Sequence, residues 1–343
     1  MYLGIDLGTS GVKAVLLDGA HRIVAVADAP LQVSRPHPLW SEQDPGTWWQ
    51  ALDHAMQGLR HAAPSALARV RALGLSGQMH GAVLLDAHRR VLRPAILWND
   101  GRAFAQCAQL EAAVPQSRTI TGNLAMPGFT APKLLWVRQH EPDVFAQIRT
   151  VLLPKDWLRL RLTGEAVSDM SDASGTLWLD VGARCWSETM LQACGLTLAH
   201  MPRLVEGSAA CGVVRAEVAQ RWGLPAEVIV AGGAGDNAAS AVGMGVVRAG
   251  EGFVSLGTSG VIFLATDVFR PAPAQAVHAF AHALPGRWHQ MSVMLSAASA
   301  LSWATRLAGQ TSEAVLLAQA AQLSVARRAQ APLFLPYLSG ERT

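Results

Sequence analysis

The stretch GIDLGTSGVKAVLLD, residues 4–18, returns in outline as FVSLGTSGVIFLATD, residues 253–267. Both stretches carry the hexapeptide LGTSGV between two apolar runs, and each stands at the start of a block of strand and helix patterns. Two apolar runs joined by a Gly-rich turn predict a pair of strands and a tight hairpin. Self-similarity over so long a distance predicts two related domains, because solenoid repeats recur every ~20 to 50 residues.

The residues around the first copy predict a three-stranded meander that opens an α/β domain. YLGIDLG, VKAVLLD and HRIVAVADAPLQV supply the strands, and the loop SRPHPLWSEQDP leads into the helical pattern TWWQALDHAMQGLRHA. Two more strands, in RVRALGLSGQ and AEVIVAGGAGD, run into Gly-containing loops. Because open α/β sheets bind ligands where such strands end, we expect a site in these loops.

The two GTSG turns have the composition of an anion site. Gly8 and Gly11 permit a tight turn, Thr9 and Ser10 add hydroxyl donors, and successive backbone N–H groups can form a nest for an anion. A single turn of this kind is typical of an ordinary hairpin. Two copies facing each other across a cleft could hold a polyphosphate from both sides. The P-loop pattern GxxxxGK[ST] is absent from the sequence.

Two carboxylates end strands beside Gly-rich segments. Asp6 precedes the first turn, whereas Ser255 precedes the second. A carboxylate in an apolar strand is costly unless it is paired or binds a cation, so Asp6 is either a Mg²⁺ ligand or a turn-stabilising residue. Asp236 follows VIVAGGAG at the start of a helical pattern, where it is either an N-cap or the general base of a phosphoryl transfer.

Two further loops offer polar side chains at strand ends. In GQMHG, Met79 could line a pocket and His80 could hydrogen-bond a polyol hydroxyl, although a lone histidine is more often structural. In WNDGR, Asp100 and Arg102 could orient substrate hydroxyls or brace the loop, and spacing alone favours neither interpretation.

Composition limits the class of protein. The 343 residues are 50% hydrophobic and 15% charged, which is typical of a folded globular protein of about two domains. The net charge of +3 is small and dispersed, so it does not indicate a nucleic-acid partner. Four cysteines without a CxxC pair, no signal-peptide pattern and no apolar run long enough to span a bilayer lead us to expect a cytoplasmic protein with no membrane partner.

The motifs together resemble the FGGY carbohydrate kinase family of the actin-like ATPase superfamily, and within it the xylulokinases. The stretches that carry the resemblance are MYLGIDLGTSGVKAVLLD, SRPHPLWSEQDP, GQMHGAVLLD, RPAILWNDGR, ITGNLAMPGFTAPKLLWV, VLLPKDWLRLRLTGE, SDMSDASGTLWLD, AGGAGDNAA, SLGTSGV and FLPYLSGERT. They occur in the family's order along the whole chain. The resemblance implies two ribonuclease-H-like domains of α/β class with ATP and sugar in the cleft between them.

The resemblance also implies roles for residues. Asp6 corresponds to the aspartate near Mg²⁺, Met79 and His80 to the substrate-contacting pair, Asp236 to the catalytic base and Asn237 to its neighbour. The residues that correspond to the two ATP phosphate turns are Gly8, Thr9, Ser10, Gly257, Thr258 and Ser259. The implied reaction transfers the γ-phosphoryl group of ATP to D-xylulose and yields ADP and D-xylulose 5-phosphate.

The resemblance further implies a domain division and an early end. Residues 1–245 correspond to the first domain, with the sugar site and the first phosphate turn. Residues 246–343 correspond to the opening of the second, whose later strands, helices and adenosine motif follow GERT in relatives. Two other functions fit the same residues: a remnant that binds sugar but not ATP, and a kinase for another pentulose or polyol. A homodimer is a further expectation, because relatives often form dimers.

Overall fold

The computed structural model describes residues 1–257, 259–338 and 341. Its strands, in chain order, are β1 (Tyr2–Leu7), β2 (Gly11–Leu17), β3 (Ile23–Pro30), β4 (Glu42–Gln43), β5 (Ala72–Gly77), β6 (Val83–Leu85), β7 (Ala95–Ile96), β8 (Thr150–Leu152), β9 (Val167–Asp169), β10 (Leu179–Asp180), β11 (Cys185–Trp186), β12 (Arg203–Val205), β13 (Ala210–Val213), β14 (Ile229–Ala231), β15 (Ala234–Gly235), β16 (Gly252–Leu256), β17 (Gly260–Thr266), β18 (His278–Ala281) and β19 (Trp288–Met294).

Helices alternate with these strands, which makes the fold α/β. They are α1 (Pro45–Ala62), α2 (Pro64–Leu67), α3 (Phe104–Ala113), α4 (Ser117–Thr121), α5 (Thr130–His140), α6 (Pro142–Gln147), α7 (Pro154–Thr163), α8 (Met170–Ser174), α9 (Glu188–Ala193), α10 (Ala216–Trp222), α11 (Asp236–Gly243), α12 (Ala298–Leu307), α13 (Glu313–Ala321) and α14 (Val325–Ala329). Two short 3₁₀ helices cover Leu198–His200 and Pro273–Gln275. No described helix is long and apolar enough to cross a membrane.

The main sheet has the strand order β13-β14-β5-β1-β2-β3, and β15 also pairs with β5. Strands β1, β2 and β3 form the antiparallel meander that the sequence predicts. Strand β5 runs parallel to β1, and both β14 and β15 run parallel to β5. The strands β1, β5 and β15 therefore end at the same edge of the sheet. The loops at this edge hold the first GTSG turn, the Met79–His80 pair and Asp236. Asp100 and Arg102 follow β7, and the second turn follows β16.

One face of the main sheet is closed by α1. Asp44 caps this helix by accepting a hydrogen bond from the Gly46 amide at 2.9 Å, and Pro45 follows in the first turn, where its missing N–H costs nothing. Trp48, Leu52 and Leu59 recur at helical spacing and are fully buried. They belong to the same core cluster as the inward side chains of β1 and β2. The opposite face of the sheet, with Gly4, Asp6 and Ser76, is therefore left for other contacts.

The second LGTSGV copy begins a separate four-stranded sheet of order β16-β17-β19-β18, as the repeat predicts. One face of this sheet is buried through Phe263, whereas Val254 and Ile262 on the other face are 63% and 58% exposed. Strand β18 docks on the first part of the chain, where the Asn123 amide donates to the Ala279 carbonyl at 2.9 Å. The division into domains at residue 245 remains a prediction.

Candidate active site

The first GTSG turn joins β1 to β2. The Gly8 amide donates to the Gly11 carbonyl at 2.9 Å, which closes the turn, and Ser10 at its tip is exposed. In the second turn the Gly257 amide donates to the Ser259 carbonyl at 3.0 Å. Thr258 lies outside the described residues. The first turn thus has the tight geometry predicted for it, and the described residues of the second turn, Gly257 and Ser259, share one hydrogen bond.

Thr9 is tied to the loops that follow other strands. Its hydroxyl donates to Gln78 Oε1 at 3.1 Å and accepts from Trp98 Nε1 at 2.8 Å, and its carbonyl accepts from Gln43 Nε2 at 2.8 Å. Gln78 Nε2 in turn donates to Gln43 Oε1 at 3.2 Å. Sequence reasoning assigned no role to Gln43 or Gln78, although both flank motifs that it used. The turn, the GQMHG loop and the WNDGR loop are therefore coupled by hydrogen bonds.

Asp6 and Lys13 face each other across the hairpin register of β1 and β2. Both side chains line a cavity of about 600 Å³ between the open sheet face and α11. Asp6 is exposed, and no hydrogen bond or ion pair within the described part of the chain engages its carboxylate. Lys13 is the one cation among the described residues that line this cavity. Sequence reasoning missed Lys13. The alternation of side chains along the predicted β1–β2 hairpin could have placed it on the same sheet face as Asp6.

The cavity itself is largely apolar and is not the whole site. Its lining excludes Met79, His80 and Asp236 among the described residues and consists mainly of small side chains of β1, β5 and α11. The polar residues predicted for the site lie beyond its end, where β1, β5 and β15 finish. We therefore take the strand ends, rather than the cavity, as the candidate site.

Asp236 is the first residue of α11, and Gly235 occupies the N-cap position instead. The amide and the side-chain nitrogen of Asn237 donate to Asp236 Oδ1 at 2.7 and 3.0 Å. Burial raises the pKa of the Asp236 carboxyl to about 6, an effect that the hydrogen bonds from Asn237 oppose and the negative charge of Asp6 increases. The structure thus brings the two predicted carboxylates into electrostatic contact.

Met79 and His80 lie beyond the end of β5, beside the Asp236 loop. Met79 is buried against Gly235, where an added Cβ would lie 2.8 Å from Met79 Cγ. His80 has a positive φ of 69°, and its Nδ1 is 2.7 Å from the Gly175 carbonyl oxygen. That contact fixes the orientation of the imidazole ring beside the Asp236 loop.

The GFTAPK segment holds the His80 backbone in this position. The Lys133 ammonium donates to the His80 carbonyl at 2.8 Å and to the Gly128 carbonyl at 2.7 Å, and the Thr130 hydroxyl donates to the His80 carbonyl at 3.1 Å. Lys133 and Thr130 are fully buried. Sequence reasoning used this segment for the family resemblance but did not assign these contacts.

Asp100 and Arg102 are buried, and their contacts favour the interpretation that they brace the loop. Asp100 accepts from the Ser41 amide at 2.6 Å and from Arg102 Nη2 at 2.7 Å. Arg102 also pairs with Glu42 at 2.7 Å and stacks 3.6 Å from the Trp40 ring centroid. Both side chains are thus engaged with protein partners, and their assignment to substrate binding remains a prediction.

The chain is similar to known sugar kinases. The model of the FGGY family of carbohydrate kinases, N-terminal domain, matches residues 1–243. A xylulose kinase of Escherichia coli (strain K12) is 61% identical over 343 residues, which are 100% of this chain and 70% of that protein.

Solved structures give the same result. A structure described as a "xyloylose kinase from Brucella ovis" superposes with a TM-score of 0.92 at 57% identity, covering 100% of this chain and 70% of that one. A xylulose kinase from Rhodospirillum rubrum superposes with a TM-score of 0.93 at 32% identity over 99% of this chain and 70% of that one. These likenesses fit the shared strand–turn–strand architecture described above. The chain therefore belongs to the FGGY family of carbohydrate kinases.

Proposed function

We propose that the protein phosphorylates D-xylulose with ATP and that Asp236 is the general base. The observation that carries the proposal is the half-buried Asp236 carboxyl at the start of α11, whose pKa burial raises to about 6, beside the Met79–His80 loop. A base with a pKa near the working pH transfers protons efficiently. The names of the relatives at 61% and 57% identity support the sugar.

In this proposal the sugar lies against Met79 and His80 with its 5-hydroxyl at Asp236. The hydroxyl proton moves to the Asp236 carboxylate as the O5–phosphorus bond forms and the bond from phosphorus to the β-phosphate oxygen breaks, which releases ADP. Asn237 donates two hydrogen bonds to one Asp236 oxygen and leaves the other oxygen for the proton. Asp236 thus acts on the acceptor hydroxyl, as an aspartate does in many kinases.

The phosphates of ATP are assigned to the two turns. Gly8, Thr9 and Ser10 would contact them on one side and Gly257 with Ser259 on the other, while Lys13 offers a positive charge beside Asp6. The free, exposed carboxylate of Asp6 fits the oxygen ligand that Mg²⁺ prefers. Mg²⁺ at this position would supply charge neutralisation to the phosphates.

Turnover with D-xylulose tests the proposal. ADP release is measured with D-xylulose, other pentuloses and polyols as acceptors, and we expect D-xylulose to give the highest kcat/KM. Asp236→Asn should lower kcat by roughly 10³-fold or more, because general base and acceptor alignment are lost together. The matched control is Asp267→Asn, an exposed aspartate 56% accessible. If Asp236→Asn kept full turnover, Asp236 would not be the general base. Calorimetry with D-xylulose and with ATP shows whether that variant still binds both.

A further inference from the structure

The loop from Gly232 to Gly235 fixes where Asp236 points. It leads from β14 through β15 into α11, and the Asp236 carboxylate itself is held in the described chain only by its neighbour Asn237. Orientation of the carboxylate therefore depends on how the preceding backbone is held. Backbone hydrogen bonds to Gly207 and Ala209 and the pairing of β15 with β5 hold part of it. The side chains that hold it come from α7 and α8, which the proposed mechanism does not use.

A chain of buried polar contacts reaches this backbone from α7. The Gly235 amide donates to Ser171 Oγ at 3.1 Å, and Ser171 Oγ donates to Asp169 Oδ2 at 2.5 Å. Asp169 Oδ1 forms an ion pair with Lys155 Nζ at 2.7 Å. All three side chains are fully buried, so these contacts are shielded from water.

The same cluster holds the other end of the loop. Arg159 pairs with Asp156 Oδ1 at 2.8 Å and donates from Nη2 to the Gly232 carbonyl. Asp156 also pairs with Lys155 at 2.6 Å. Gly232 and Gly235 are thus fixed by a single charged cluster.

The cluster is a closed ionic network and not a metal site. Asp156, Asp169 and Asp172 are close enough together to share a cation, but the Lys155 ammonium lies 2.6, 2.7 and 3.1 Å from their oxygens and takes that place. Burial raises the pKa of Asp172 well above its usual range, against the pull of Lys155.

Met79 presses on Gly235 from the sugar side. A Cβ at Gly235 would lie 2.8 Å from Met79 Cγ and 2.9 Å from Met79 Sδ. Only the absence of a side chain allows this contact. The residue before Asp236 is therefore held between Ser171 on one side and Met79 on the other.

We propose that Ser171, supported by Asp169 and Lys155, is a positioning residue that sets the orientation of Asp236 through the Gly235 amide. The inference rests on the proposed role of Asp236. Loss of the Ser171 oxygen leaves the Gly235 N–H without its buried acceptor, so the backbone shifts and Asp236 loses its alignment. Small misplacements of a reacting group are costly, because the geometry of proton transfer is narrow.

Ser171→Ala tests this role, with Ser174→Ala as the matched control. Ser174 lies on the same helix α8 and is equally buried, and it accepts from the Ala281 amide at 3.0 Å, away from Asp236. Hydrogen exchange is measured over residues 232–238. We expect exchange in this segment to rise roughly tenfold in Ser171→Ala and to stay unchanged in Ser174→Ala. Ser171→Cys, nearly isosteric but with a weak sulfur acceptor, gives the same comparison with little change of volume.

The protonation of Asp236 provides the second readout. Carboxyl carbon NMR should show the Asp236 pKa moving from about 6 toward the ordinary aspartate range in Ser171→Ala, because a loosened carboxylate gains water. In parallel, kcat with D-xylulose should fall roughly 10- to 100-fold while KM changes little. Exchange and Asp236 titration equal to those of Ser174→Ala would overturn the inference.

The two proposals fail in different ways. If Asp236→Asn keeps its turnover, the proposed base is wrong, whatever Ser171→Ala does to exchange and titration. If Asp236→Asn is inactive but Ser171→Ala keeps the kcat, exchange and titration of the wild type, the base stands and the positioning role does not.

Discussion

Asp6 near the end of β1 and Asp236 after β15 are two carboxylates on either side of β5, with different surroundings. Asp6 is exposed, whereas Asp236 is half-buried behind the Met79 loop. Burial, increased by the charge of Asp6, raises the pKa of Asp236 to about 6. Two nearby carboxylates with different pKa values are typical of sites in which one carboxylate transfers a proton and the other binds a cation.

This difference predicts the pH dependence of the proposed reaction. A general base must be deprotonated, so kcat/KM for D-xylulose should be constant above pH 7 and fall about tenfold per unit below the Asp236 pKa of about 6. Asp6→Asn removes the negative charge that raises this pKa. The acidic limb of the rate profile should therefore move to lower pH in Asp6→Asn, whatever the height of its plateau. A limb that stays in place would show that another group controls it.

The sequence predicted which residues meet at the site but not what each contacts. Asp6 lies near the end of β1, and Met79, His80 and Asp236 follow the ends of β5 and β15. Because these parallel strands end at one edge, the meeting of the four residues follows from the pattern. The buried state of Asp100 and the partners of Thr9 depend on residues far along the chain. Such long-range contacts leave no trace in local spacing.

At the scale of the element, α7 shows charged residues inside a core. Four of the ten residues in its sequence, PKDWLRLRLT, are charged. Three of these, Lys155, Asp156 and Arg159, are nevertheless fully buried. A buried charge is tolerated only when it is paired and hydrogen-bonded, which the contacts with α8 and β9 achieve. The helix is therefore held to its neighbours by ionic contacts as well as by its apolar side chains.

Removing the central cation of this cluster should destabilise the protein strongly. Lys155→Met leaves Asp156 and Asp169 as buried carboxylates without their shared partner, and we expect a loss of about 3 to 5 kcal/mol in the free energy of unfolding. Urea denaturation measures the loss. Arg22→Met, which breaks an exposed ion pair with Asp18, should change stability little. Equal effects of the two changes would contradict the ionic role assigned to Lys155.

Local patterns predicted several elements of the fold but not the contacts between them. The meander β1–β3 and the helix α1 follow from turn residues, alternation and a helical apolar stripe, all of which are local. Around VLLPKD, β8 ends at Leu152 and α7 begins at Pro154, where proline at the first helical position is a local start signal. The ion pair of Lys155 with Asp169, by contrast, joins α7 to β9 and leaves no trace in local propensity.

At the scale of the whole molecule, the two LGTSGV copies lie in sheets with different surroundings. The main sheet is covered by α1 on one face, while the second sheet buries Phe263 on one face and exposes Val254, Leu256 and Ile262 on the other. Exposed apolar patches of this kind favour association with other surfaces.

Substitutions of two adjacent residues of β17 should therefore have very different effects on the free energy of unfolding. Ile262→Ser, on the exposed face, should change the free energy of unfolding by no more than about 0.5 kcal/mol and reduce binding of an apolar dye. Phe263→Ala, on the buried face at 1% exposure, should cost about 3 to 5 kcal/mol. Denaturation and dye fluorescence on the two variants check this. A large loss from Ile262→Ser would mean that its face is covered in solution.

The contact between Met79 and Gly235 has a consequence for changing the sugar preference of the enzyme. Met79 stands in the loop assigned to the sugar, and Gly235 is the residue that places Asp236. A larger or smaller side chain at position 79 would reshape the pocket and displace the proton acceptor in the same step. Substrate range and turnover rate therefore cannot be changed independently in this protein. A substitution at position 79 that admits a new acceptor sugar would need a compensating change in the residues that support Gly235.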